Sequence, residues 1–85
     1  MTTATRPPVL TDRAVAMLRA VAAGRAQLTV SVEPDLYVDG LPCCDQTTAH
    51  ELAHTGLVAP AHPAPPRTRV RAELTAAGRA ALAGR

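Results

Sequence analysis

At 85 residues with a formal charge of +2, the chain has room for one domain and is not a polycation. The nine basic residues are all Arg, Phe and Trp are absent, and Tyr37 is the single aromatic residue, so the core must be built from Leu, Val and Ala. No run approaches the ~20 apolar residues of a membrane span. The adjacent Cys43 and Cys44 do not form the spaced framework of a secreted disulfide scaffold, and a cytoplasmic, reduced setting without a membrane partner is expected.

Residues 1–10 are Thr-rich, contain Pro7-Pro8 and lack an apolar run. They read as a disordered leader rather than a signal peptide, with 11–85 as the folded domain. Thr11 or Asp12 caps a first helix over 11–23, in which Val15, Leu18, Val21 and Ala22 recur at helical spacing and which Gly24 stops. Over 27–32 the period changes to that of a strand, with Leu28, Val30 and Val32 alternating with Gln27, Thr29 and Ser31. Glu33-Pro34-Asp35 is a turn, and Leu36-Tyr37-Val38 a short strand closed by Asp39-Gly40. The region 28–38 is either a hairpin or one strand followed by irregular chain.

Pro42 suits the first turn of a helix running to Thr55 and ended by Gly56. A shorter helix results if Asp45 caps it, or if Thr48 and Glu51 form a capping box. In each version Thr48, Leu52 and Ala49 face inward. Leu57-Val58 opens a strand. The stretch 59–66 holds four of the eight prolines and reads as a stiff exposed loop. Strand spacing returns over 67–74, with Val70, Ala72 and Leu74 on one face and Arg67, Arg69 and Arg71 on the other. Thr75 caps a last helix that docks through Leu82. Gly78 in that helix allows close packing but weakens the helix by about 1 kcal/mol relative to Ala.

The stretch Ala49-His50-Glu51-Leu52-Ala53-His54-Thr55-Gly56-Leu57-Val58 resembles the end of a recognition helix in winged-helix regulators. The stretch Ala72-Glu73-Leu74-Thr75-Ala76-Ala77-Gly78-Arg79-Ala80-Ala81-Leu82 resembles the segment that follows their wing. The order and gap are similar to those of MarR-type regulators, over about a third of the chain. MarR-type proteins are longer and dimerise through terminal helices, and here 28–39 is strand-like where they have a second helix. The resemblance therefore implies an α+β fold, a small winged helix-turn-helix of about three helices with a two- or three-stranded antiparallel wing sheet. It does not carry over drug sensing or the family's dimer.

That fold makes double-stranded DNA the expected partner, with transcriptional regulation the expected role. In the second helix, Gln46, Thr47, His50 and His54 are the outward residues that would meet base edges. Arg67, Arg69 and Arg71 on the wing would hold phosphates, and Arg6, Arg13 or Arg25 would add to the affinity. The acidic Asp45 and Glu51 beside a helix without Arg or Lys favour a rival reading, a protein-interaction module on the same fold. A homodimer or a protein partner is expected in either case. A third reading is a metal- or thiol-responsive regulator using Cys43, Cys44, His50 and His54. His50 and His54 share a helix face, but the usual paired-Cys spacing is missing and all four donors would lie on one helix. The plainer expectation has Cys44 as a small core residue, Cys43 as a partly exposed thiol and no cofactor. His62 sits in the proline-rich loop and should be exposed. There is no phosphate-cradling Gly-rich loop and no nucleophile elbow, so enzymatic activity is not expected.

Overall fold

The Thr11 side chain accepts a hydrogen bond from the Ala14 N–H at 3.1 Å and starts helix α1, Asp12–Ala22. The computed structural model describes residues 10–84. The expected leader thus lies outside the described residues, except Leu10, which packs against the core. Ala14, Val15, Met17, Leu18, Ala20 and Val21 are buried. Gly24, at φ +78°, turns the chain out of the helix while the Gly24 and Arg25 N–H groups return to the Val21 and Ala20 carbonyls.

Strands β1 (Ala26–Thr29), β2 (Leu36–Val38) and β3 (Leu41–Pro42) follow. β1 is shorter than the alternation implied. The Thr29 hydroxyl accepts from the Asp35 N–H at 2.9 Å, the Val30 N–H pairs with the Thr68 carbonyl, and Val32 is left 88% exposed. The 28–38 region is a hairpin, with Leu28 opposite Leu36. Asp39-Gly40 begins a second one rather than closing the sheet. Both residues take positive φ, +52° and +80°, and Val38 pairs with Leu41, which is the geometry of a two-residue primed turn. Pro42 therefore lies in an edge strand, where it needs no N–H partner, and not in a helix.

Helix α2 spans Gln46–His54. Its cap is Asp45, whose Oδ1 accepts from the Thr48 N–H at 3.0 Å and whose Oδ2 accepts from the Thr48 hydroxyl at 2.6 Å. Thr48 is thereby engaged backwards, so it is only half-buried and forms no capping box with Glu51. Ala49 and Leu52 are buried as expected. Gly56, at φ +76°, ends the helix as Gly24 ends α1.

Strands β4 (Val58–Pro60) and β5 (Arg69–Leu74) pair antiparallel, and helix α3 (Ala76–Ala83) completes the chain. The loop between β4 and β5 starts after Pro60, which an edge strand tolerates. Thr75 caps α3 by accepting from the Gly78 N–H, and donates its own hydroxyl to the Gly56 carbonyl. Gly78 is buried against the Leu57 backbone, the close approach expected of it.

The fold is α+β, with three helices and one five-stranded antiparallel sheet in the order β3-β2-β1-β5-β4 among the described residues. Two or three strands were expected. The additional ones come from the Asp39-Gly40 turn and from the pairing of β1 with both β2 and β5. The helices cover one face of the sheet, where Leu18, Leu28 and Leu36 are fully enclosed and Ala72, Leu74, Leu52 and Leu57 complete an aliphatic core. Leu82 is half-buried against it. Among the described residues no helix is long and apolar enough to cross a membrane.

Candidate nucleic-acid interface

β5 alternates strictly, with Val70, Ala72 and Leu74 buried and Arg69, Arg71 and Glu73 exposed on the face away from the helices. Register sets their neighbours. Arg71 lies opposite Gln27, which lies opposite Tyr37, which lies opposite Pro42. Arg69 lies opposite Thr29, yet its guanidinium reaches past β1 to stand 4.4 Å from the centre of the Tyr37 ring. Arg67 does not belong to this row. It precedes the strand in the β4–β5 loop, at φ +67°, and is exposed there.

The arginines divide into neutralised and available ones. Arg25 grips Asp39 through Nε to Oδ1 at 3.1 Å and Nη2 to Oδ2 at 2.7 Å. The pair lowers the Asp39 carboxyl and raises the Arg25 guanidinium, with the hydrogen bond the leading cause for both. Arg13 Nη1 lies 3.2 Å from Asp45, and Arg79 donates to the Leu74 carbonyl. Among the described residues Arg19, Arg67, Arg69 and Arg71 make no ion pair; Arg19 is exposed on α1, and the other three lie together on the β4–β5 hairpin with their charge facing solvent. Arg6 lies outside the described residues.

α2 presents less than the sequence implied. Gln46 does not point outward. Its Oε1 accepts from the Leu36 N–H, and its Nε2 donates to the carbonyls of Leu36 and Cys43, each at 2.9 Å, riveting β2 to the start of α2. His50 is held as well, with Nδ1 3.2 Å from Glu33 and Nε2 3.0 Å from Asp35. Thr47 and His54 are exposed and have no side-chain partner among the described residues, on the same helix face as the exposed Glu51. The outer side of α2 therefore sets Thr47 and His54 beside the carboxylates of Glu51, Glu33 and Asp35. It lies on the opposite side of the sheet from Arg69 and Arg71.

The thiols exchange the expected places. Cys43 packs against the core and Cys44 is exposed, because 43–45 is the link from β3 to the α2 cap rather than a helical turn. Burial first, then the neighbouring charges of Cys44 and Asp45, raises the Cys43 thiol above its ordinary value. His50 is occupied by Glu33 and Asp35, so Cys43, Cys44, His50 and His54 are not brought together as one donor set. Among the described residues no group of three or more His, Cys, Asp or Glu side chains is arranged to hold a metal ion. His62 is exposed in the β4–β5 loop, as expected.

Sequence reasoning named Arg69 and Arg71 but missed Tyr37, Glu33 and Asp35. The signal for Tyr37 was present: the one aromatic ring of an aliphatic chain falls on the polar side of an alternating strand. The pairing of Glu33 and Asp35 with His50 had no local signal, since it joins a loop to a helix 15 or more residues away. Comparison with known proteins finds no significant match to this chain among protein-family models, curated proteins or solved structures.

Proposed function

We propose that the chain is a small winged-helix-type domain that binds double-stranded DNA, with its hairpin arginines on the phosphate backbone. The observation that carries the reading is the charge segregation on the β4–β5 hairpin. Arg67, Arg69 and Arg71 are exposed and unpaired by carboxylates among the described residues, whereas Arg13 and Arg25 are neutralised. The guanidinium groups of Arg69 and Arg71 on β5, with Arg67 in the loop before it, match phosphate oxygens, and the contact carries no sequence information of its own. A helix ending in Gly beside an antiparallel hairpin with an exposed tip supports the winged-helix side of the proposal. Thr47 and His54, the free residues of α2, lie on the opposite side of the sheet from Arg69 and Arg71, so a duplex held by the hairpin of one copy is contacted through its phosphates and not read by α2 of that copy. Backbone contact alone implies modest selectivity for one copy and a role for a second copy or a protein partner. A transcriptional role in the cytoplasm follows from this reading.

Fluorescence anisotropy of a labelled random-sequence duplex at low and moderate salt tests it. The wild-type chain should bind with a steep salt dependence, a log–log slope of about −3 if all three arginines displace counterions. The triple variant Arg67→Ala, Arg69→Ala, Arg71→Ala should lose binding while keeping its circular dichroism. Absence of binding at low salt ends the proposal.

A second reading, a protein-interaction module, has one specific observation behind it. Glu33 and Asp35 hold His50, and Glu51 is exposed on the same helix, so α2 offers an acidic surface suited to a basic protein partner rather than to a groove lined with phosphates. Such a contact should survive the triple arginine substitution.

A further inference from the structure

The open face of the sheet places a ring where duplex DNA has no use for one. Tyr37 is the single aromatic residue in a chain whose buried residues are otherwise aliphatic, and it is spent outside the core, half-buried on the solvent side of β2. The planar Arg69 guanidinium stands over it at 4.4 Å. Gln27 and Thr29 of β1 lie beside the stack at fixed register positions, and Arg71 follows Gln27 in the same row. Strands are spaced about 4.8 Å apart, so Arg71 starts roughly 10 Å from Tyr37 across the sheet. Three carboxylates border the row: Glu73 lies on the far side of Arg71 from Arg69, while Asp35 and Asp39, two residues before and after Tyr37, are engaged by His50 and by Arg25.

We propose that this face binds single-stranded nucleic acid, with one unpaired base stacking on Tyr37 and the flanking phosphates on Arg69 and Arg71. An aromatic ring beside unpaired cationic side chains is what a polynucleotide needs when its bases are free, because every base has a π face and every link a charge. The Arg69 guanidinium occupies the place of the base in the free protein. Cation–π contact at an exposed site is weaker than base–aromatic stacking, so an incoming base displaces the guanidinium and frees it for a phosphate. Gln27 and Thr29 supply hydrogen-bonding groups alongside. The proposal shares Arg69 and Arg71 with the duplex reading but goes beyond it, since a paired and stacked base cannot reach Tyr37.

Tyr37 is also the intrinsic fluorophore of the chain, so the full-length protein reports on its own site. Titration with a twelve-nucleotide oligodeoxythymidylate, and with oligouridylate of the same length, should quench tyrosine emission saturably and in a salt-dependent way. The tighter of the two identifies the preferred strand, and oligodeoxyuridylate of the same length separates the effect of the sugar from that of the thymine methyl. By anisotropy of the labelled oligonucleotide, Tyr37→Leu should bind about tenfold more weakly, the loss of one stacked base. Arg71→Ala should weaken binding while leaving the quenching at saturation. Circular dichroism and thermal melting establish that each variant is folded. Binding without quenching, wild-type affinity in a folded Tyr37→Leu, or no binding of either oligonucleotide overturns the proposal. A duplex that binds while single strands do not leaves the duplex reading standing alone. Single strands that quench while the duplex fails to bind support the Tyr37 site and remove the duplex reading.

Discussion

Gly78 shows how one residue can carry the docking of an element. A glycine inside a helix normally costs about 1 kcal/mol relative to Ala, so Gly78→Ala looks like a stabilising change. Here a Cβ would overlap the Leu57 carbonyl, sitting 2.9 Å from its carbon, and the obstacle is backbone rather than a flexible side chain. Relief requires α3 to move away from the α2–β4 junction, where the Thr75 N–H and hydroxyl also bond to Leu57 and Gly56. We expect Gly78→Ala to destabilise the domain by about 1–3 kcal/mol, the usual range for overpacking. Urea unfolding followed by circular dichroism measures this, and an unchanged or raised midpoint would show that α3 is not pinned at Gly78. The sequence suggested close packing at this glycine, but not its partner, because Leu57 is 21 positions earlier. Gln46 is the contrary case. Its position on the helix allowed an outward direction, and only the three backbone partners supplied by Leu36 and Cys43 turned it into a rivet.

At the scale of the element, α2 depends on its cap. Asp45 accepts from both the hydroxyl and the N–H of Thr48 and also faces Arg13. The Thr48 hydroxyl contributes most to holding the Asp45 carboxyl below the ordinary carboxylate range, followed by the Thr48 N–H and then by Arg13. A lowered native value means that the unfolded chain takes up the proton first on acidification. The stabilisation is therefore complete above the unfolded Asp value of about 4 and is lost as pH falls through the native one. Asp45→Ala should lower the melting temperature at pH 7, and Asp45→Asn, which still caps, should lower it less. Both should show a shallower loss of stability between neutral pH and pH 3 than the wild type. Thermal melts across that range check the outcome, and parallel curves would remove Asp45 as a source of acid sensitivity. Asp45 was one of several caps open from the sequence. Pro42 and the Thr48–Glu51 box competed with it, and the choice rested on β3, which claims Pro42 as a strand residue before the helix can begin.

For the molecule as a whole, an aliphatic core under a single-layered sheet leaves little reserve. Leu28 is fully buried, pairs with Leu36 and Val70 across its two neighbouring strands, and so joins both halves of the sheet to the helices. Leu28→Ala should cost about 2–5 kcal/mol. A domain of this length commonly holds only about 4–12 kcal/mol in total. Denaturant titration should show a single transition at a much lower midpoint, with the signals of Tyr37 and of the helices lost together. Separate transitions would mean that the β2–β3 hairpin is an independent appendage.

Sequence alone determined the features that rest on local physics. Thr11 and Thr75 cap because their hydroxyls reach N–H groups three residues on. Gly24 and Gly56 end helices because they accept positive φ, and Arg69, Arg71, Val70 and Ala72 divide between two faces because a strand has a period of two. The tertiary structure decided everything that depends on which segments become neighbours. It cut β1 short of Val32, made Asp39-Gly40 a hairpin turn, moved Arg67 off the strand and clamped His50 between Glu33 and Asp35. It also laid Arg69 on Tyr37, 32 residues away, across an intervening strand. Periodicity reports which face a side chain takes. It carries no information about the partner on that face, since long-range pairing is selected by the fit of the whole core.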